Sequence, residues 1–148
     1  MRWILDNLGV RRIEHGVRSI EDQELVRHLA RQRITLDVYP MSNVKLGVQG
    51  VPCMAAHPIR ALFDAGVPVT LNSEDTFFFG NRLEEEYFAL HQELGFSKAE
   101  LARIALNGIE IALLSPEKKQ ALVAEWRTFV AAESLDLAIA EGSNRFVE

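Results

Sequence analysis

Residues 67–75 read Val67-Pro68-Val69-Thr70-Leu71-Asn72-Ser73-Glu74-Asp75. Valine and threonine favour a pleated backbone, and Pro68 stands near the start, where its missing N–H is tolerated, so the run predicts a strand. Its end decides the fold. Within a few residues an apolar run gives way to an amide, a hydroxyl and two carboxylates, and in parallel α/β folds the chemistry sits at the carboxyl ends of strands.

Two upstream stretches have the same form. Arg11-Arg12-Ile13-Glu14-His15 predicts a short strand broken at Gly16, and Ile34-Thr35-Leu36-Asp37-Val38 predicts another, stopped by Pro40. A helical segment, Arg2–Leu8, precedes the first and stops at Gly9. Between the first two strands, Ser19-Ile20-Glu21-Asp22 resembles a capping box opening a helix through about Arg31, with Leu25, Val26 and Leu29 on one face. His57-Pro58 opens another helix, which stops at Gly66. Residues 39–56 and 76–82 read as loops, the first long enough to be functional.

Beyond the third strand the chain reads as helix. Leu83–Leu94 carries a stripe of Leu83, Tyr87, Leu90 and Leu94. A second helix, capped by Ser97, presents Leu101, Ile104, Ala105 and Ile109, and a third, opened by Ser115-Pro116, presents Leu122, Trp126, Phe129 and Val130. The tail after Gly142 is expected to fray. Strands alternating with helices need crossovers and hence pair in parallel. The expected fold class is α/β, with about three parallel strands, flanking helices and C-terminal helices in one domain over residues 1–148.

Composition narrows the function. A chain of 148 residues with 48% hydrophobic content can build a core. The net charge is −5 and no Lys/Arg cluster occurs, so a nucleic-acid partner is not expected. A single cysteine, Cys53, excludes an intramolecular disulfide and a Cys-rich zinc site. No run approaches the roughly 20 apolar residues that span a bilayer, and the opening Met1-Arg2-Trp3-Ile4-Leu5-Asp6 does not read as a signal peptide. A cytoplasmic chain with no membrane partner is expected.

The ordered elements Arg12-Ile13-Glu14-His15-Gly16, Val38-Tyr39-Pro40-Met41-Ser42-Asn43, His57-Pro58-Ile59, Val69–Asp75 and Leu83-Glu84-Glu85-Glu86-Tyr87 together carry a resemblance. Over roughly residues 3 to 130 the chain resembles the C-terminal part of the adenosine/adenine deaminase family, zinc-dependent (β/α)₈-barrel aminohydrolases of purines. The resemblance implies a partial TIM (β/α)₈ barrel. It implies that His15 orients and helps activate a zinc-bound water, that Glu74 stands at a zinc-ligating aspartate position, and that Asp75 binds the purine ring. Ser42 and Asn43 match a strand-end pair that shapes the site, and His57 matches a helix start read as local structure. The substrate implied is a purine nucleoside or base, adenosine or adenine, whose 6-amino group leaves as ammonia. Zinc supplies the nucleophile by lowering the pKa of bound water to about 7, and a positioned histidine adds about 10²–10⁴-fold.

The chain also departs from that pattern. The family uses a His-x-His pair, a further histidine, and a glutamate in a His-Ala-Gly-Glu stretch; this chain has only His15, His28, His57 and His91, in none of these contexts. Tyr39 replaces a cysteine, Thr76 a proline, and Glu74 an aspartate one methylene shorter. A catalytic zinc takes three protein ligands plus water, so stable zinc binding and activity are not expected of this chain alone. A (β/α)₈ barrel needs about 250 residues; the chain is expected to be a fragment that docks on a missing N-terminal half or a second copy. Three strands would leave two edges and one face of buried-type residues bare. The alternative is a non-catalytic half-barrel serving as a binding or interaction module, as a homodimer.

Other residues read more simply. His28 is expected on a solvated helix face and His91 in the core beside Tyr87 and Leu94. Phe77-Phe78-Phe79 are expected to pack beneath their loop. Glu84-Glu85-Glu86 read as a negative first helical turn favoured by the helix dipole, and Cys53 reads as structural.

Overall fold

The computed structural model describes residues 1–137; the tail after Gly142 lies outside them. Strands β1 (Arg12–Glu14), β2 (Thr35–Val38) and β3 (Val69–Leu71) form one parallel sheet in the order β1-β2-β3. Each falls inside its predicted stretch. Parallel pairing needs a crossover, and α2 (Gln23–Arg31) and α4 (Ile59–Asp64) supply the two. Helix α1 (Arg2–Leu8) precedes the sheet. Residues 39–56, read as loop, contain α3 (Pro40–Lys45) and a 3₁₀ turn, Met54–Ala56. Pro40, read as a strand stop, is also the first residue of α3, where a missing N–H costs nothing.

After β3 come α5 (Thr76–Phe79), α6 (Leu83–Leu94), α7 (Lys98–Ile111) and α8 (Pro116–Ala132). The last three match the predicted helices. Ser97 caps α7 in a full capping box: its hydroxyl accepts Glu100 N–H at 3.2 Å, and Glu100 Oε2 accepts Ser97 N–H at 2.8 Å. The cap expected at Ser19 is instead made by Asp22. Residues Val17–Glu21 form a 3₁₀ turn, and Asp22 Oδ1 accepts the N–H groups of Glu24 and Leu25, both at 3.0 Å.

The sheet has two chemically distinct faces. Ile13, Leu36, Val38, Val69 and Leu71 turn toward the helices and join Leu29, Ile59, Leu62, Leu90 and Ile104 in one apolar core. The opposite face is polar. Asp37 Oδ1 accepts the Thr70 hydroxyl at 2.6 Å, Asp37 Oδ2 pairs with Arg12 Nε at 2.6 Å, and Thr70 Oγ1 accepts Asn72 Nδ2–H at 2.9 Å. The bare face expected to be of core type is therefore a hydrogen-bonded network. Charged and polar groups can stay in a barrel interior only when they satisfy one another in this way.

The ladder leaves two open edges. Thr35 N–H bonds Arg11 O and His15 N–H bonds Asp37 O, so Arg12 and Glu14 turn their backbone groups away from β2. On the far side Leu36 N–H bonds Pro68 O and Asn72 N–H bonds Val38 O, which turns Val69 and Leu71 outward. There Asn107 Nδ2 donates to Val69 O at 2.9 Å, so α7 covers part of the β3 edge. A second tie runs from α4 to α7. Arg60 donates to both Glu100 oxygens, at 3.1 and 2.6 Å, while its guanidinium lies 4.4 Å from the Phe96 ring centroid.

Three sequence expectations need correction. His91 is exposed, not in the core; its Nδ1–H is accepted at 2.7 Å by Phe96 O, just beyond the Gly95 cap that turns the chain back over the helix end. Leu83 and Phe129 are exposed, because each stripe is wider than the surface its helix buries. Cys53 is exposed too.

Candidate active site

Each strand ends in polar residues, and the ends converge. His15 directly follows β1 and Glu74 follows β3, with β2 between them. Their side chains meet over the end of that middle strand, where His15 Nε2 lies 3.8 Å from Glu74 Oε1. The segment after β2 lies beside them. The Tyr39 ring centroid is 4.6 Å from that of His15, the Ser42 hydroxyl donates to Glu74 Oε2, and the Asn43 amide lies 3.3 Å from His15 Nδ1. Burial, then the charges of Glu14, Asp37 and Glu74, push the Tyr39 hydroxyl above its ordinary pKa. An open cleft of about 380 Å³ borders His15 and Asn43, with Val17, Leu25 and Val48 among its apolar lining.

Both meeting residues are held in left-handed backbone, with φ 57° at His15 and 58° at Glu74. The other two non-glycine cases among the described residues, Arg33 and Ser134, follow the ends of α2 and α8, where this conformation terminates helices. For a residue with a Cβ it costs about 1–2 kcal/mol. Strain of this kind persists where the surroundings over-determine it, typically at functional sites. Gly16 continues the left-handed turn at φ 70°, and an added Cβ there would stand 2.9 Å from Leu36 Cδ2. Periodicity and composition carry no trace of this strain.

Asp75 takes a different direction. It is exposed, and its carboxylate accepts Phe78 N–H at 2.8 Å, capping α5. Of the three predicted site residues, the structure thus brings His15 and Glu74 together and turns Asp75 toward the adjoining helix. Phe77 and Phe78, expected beneath the loop, are 98% and 75% exposed, because α5 buries none of its residues.

Two buried groups beside the site escaped sequence reasoning. Glu86, read as part of a negative first helical turn, is fully buried. Its Oε2 accepts Met41 N–H at 3.1 Å and its Oε1 accepts Asn81 Nδ2–H at 2.8 Å, tying α6 to the start of α3. Burial pushes its pKa up to about 7 against the pull of those bonds. Its neighbours do what the run suggested: Glu85 Oε2 accepts Arg82 N–H at 2.8 Å at the helix start, and Glu84 pairs with Arg82. His57, read as local structure, is 3% exposed and contacts Asn43 and Ile59. Burial pushes its pKa down to about 4, so it is neutral near pH 7.

A family model described as Adenosine deaminase matches residues 2–128. The chain belongs to the adenosine deaminase family. Adenine deaminase of Rhizobium meliloti is 44% identical over 124 residues, 84% of this chain and 38% of the relative; adenine deaminase of Kluyveromyces lactis is 42% identical over 82% of this chain and 34% of the relative. The solved adenine deaminase from Arthrobacter aurescens superposes with a TM-score of 0.82 at 35% identity, over 88% of this chain and 39% of that one. An amidohydrolase from Burkholderia ambifaria, solved with bound Zn, superposes with a TM-score of 0.78 at 26% identity, over 92% of this chain and 38% of that one. This adenosine deaminase family chain thus spans about two fifths of the length of its relatives, and its three parallel strands are a partial TIM barrel.

The family's metal can be tested against the residues present. Catalytic zinc is held by three protein groups and a water. Beside Glu74 stand one imidazole, His15, and one hydroxyl, Ser42. Among the described residues no three His, Cys, Asp or Glu side chains gather closely enough to hold a metal ion. The described residues do not make a zinc site by themselves. No helix among them is long and apolar enough to cross a membrane.

Proposed function

We propose that this chain forms one wall of the active site of a purine 6-aminohydrolase, acting on adenine, and that it does not deaminate alone. The observation that carries the reading is the 3.8 Å meeting of His15 and Glu74 at the carboxyl ends of parallel strands, each on strained backbone. The adenine deaminase names of its relatives support the base, rather than its nucleoside, as substrate.

In this reading His15 touches the attacking water and fixes its direction. The Ser42 hydroxyl, by bonding Glu74 Oε2, keeps that carboxylate turned toward His15. Asp75, released from its cap on α5 or sharing it, binds the purine ring. Any zinc is held with groups from the rest of the barrel, with Glu74 the contribution of this chain. The open edges of β1 and β3 are where those strands join, and a second copy of the chain is the competing occupant.

The test is complementation. The purified chain, metal-loaded, should release no ammonia from adenine. Mixed or co-expressed with the part of the Rhizobium meliloti adenine deaminase that it does not cover, it should restore turnover, and His15→Ala should abolish that restoration. Turnover by the chain alone would refute incompleteness. A stable homodimer that never accepts the complementing segment would favour the half-barrel interaction module.

A further inference from the structure

Two contacts in a row, through Asn43, connect His57 to His15, and a backbone N–H on the far side of the His57 ring fixes where their protons sit. Ile59 N–H lies 3.1 Å from His57 Nδ1. A backbone amide can only donate, so Nδ1 must present its lone pair. A neutral imidazole carries one N–H, which therefore sits on Nε2. The group facing Nε2, at 3.0 Å, is the Asn43 side-chain amide, itself fully buried. As the structure places it, with Nδ2 facing His57 Nε2 and Oδ1 3.3 Å from His15 Nδ1, the amide points N–H at N–H, which a buried pair does not sustain. Turning the amide by half a turn about its last bond exchanges oxygen and nitrogen and keeps every neighbour in place. Asn43 Oδ1 then accepts His57 Nε2–H, and Asn43 Nδ2 donates to His15 Nδ1.

We infer that His57 is a positioning residue: through Asn43 it fixes the tautomer of His15, leaving its lone pair on Nδ1 and its proton on Nε2, the nitrogen facing Glu74. The inference rests on the reading of His15 as the site histidine. The consequence is specific. Neutral His15 offers a donor, not a base, on the side of the cleft where Glu74 stands, so it holds an attacking water through the water's oxygen. His57 and Asn43 are both buried, and among the described residues their ring and amide atoms have no other hydrogen-bond partner. The order is thus built into the protein before any substrate arrives.

Long-range ¹H–¹⁵N correlation of the ¹⁵N-histidine-labelled full chain, at an alkaline pH where the imidazoles are neutral, reads each tautomer directly. His28 and His91 are assigned by single replacement. His15 and His57 should both show a protonated Nε2 and an unprotonated Nδ1. In Asn43→Asp, where both oxygens can only accept, His15 Nδ1 should move into the protonated range while His57 stays unchanged. In His57→Leu the single His15 tautomer should become a mixture. A protonated Nδ1 at His15 or at His57 in the parent chain overturns the inference, as does a His15 tautomer unmoved in a folded Asn43→Asp. The parent spectrum decides alone if neither variant folds. It is independent of turnover, so failure here and failure of the deaminase reading are separate results.

Discussion

Replacing Glu86 by glutamine should make stability rise more steeply with pH than it does in the parent chain. Glu86 titrates at about 7 in the fold against an ordinary 4.5. The folded chain therefore holds a proton that the unfolded chain has released, and this contribution is full below pH 4.5 and lost as pH rises toward 7. At 1.36 kcal/mol for each pH unit of that gap, the loss is about 3 kcal/mol. His57 works in the opposite sense. Its value falls from 6.5 to about 4, so its contribution is full above pH 6.5 and lost as pH falls toward 4, again by about 3 kcal/mol. Where these windows overlap, from about pH 4.5 to 6.5, the two slopes oppose each other. Glu86→Gln removes one of them: glutamine has the same shape, and the buried, unpartnered Asn81 Oδ1 can turn to accept its amide. Urea titrations of parent and variant at about pH 4.5, 5.5 and 6.5 should show the variant gaining about 1 kcal/mol per pH unit relative to the parent. Parallel profiles would refute the claim that Glu86 is proton-bound in the fold.

Other substitutions test the surrounding geometry. Gly16→Ala puts a Cβ on left-handed backbone against Leu36 Cδ2 and should destabilise by about 2 kcal/mol, read as a lower urea midpoint. Asp75→Asn caps α5 as well as aspartate does, so stability should change by less than about 0.5 kcal/mol. In the complemented barrel, however, adenine turnover should fall about 10–100-fold through loss of a charged hydrogen bond, and an unchanged rate would confine Asp75 to its cap. Glu100→Ala removes both the Arg60 pair and the acceptor of Ser97 N–H, and should cost about 3 kcal/mol in the same titration.

The strands were legible because short β-branched runs ended in proline, glycine or polar clusters, and the caps at Ser97 and Ser115 because a hydroxyl preceded each apolar stripe. His15 and Glu74 were legible as strand-end residues in an ordered set of motifs. What sequence could not supply was phase and partner. Three glutamates in a row look alike until α6 is docked, and then Glu86 alone turns inward. His57 beside Pro58 reads as a helix start, which it is; its buried ring matters only because the chain brings Asn43 against it. Ser19 and Asp22 compete for one cap, and the 3₁₀ turn over Val17–Glu21 decides in favour of Asp22. The positive φ at His15 and Glu74 leaves no sequence signature at all.

The amide of Asn107 on Val69 O makes the two flanks of the sheet unequal. A strand arriving beside β1 meets the outward backbone groups of Arg12 and Glu14 and can zip on at once. One arriving beside β3 must first prise that amide from its carbonyl or begin pairing farther along, at Leu71. The two flanks therefore differ in kind: the β1 side offers backbone to an added strand directly, whereas on the β3 side a helix already holds one of the carbonyls such a strand would use.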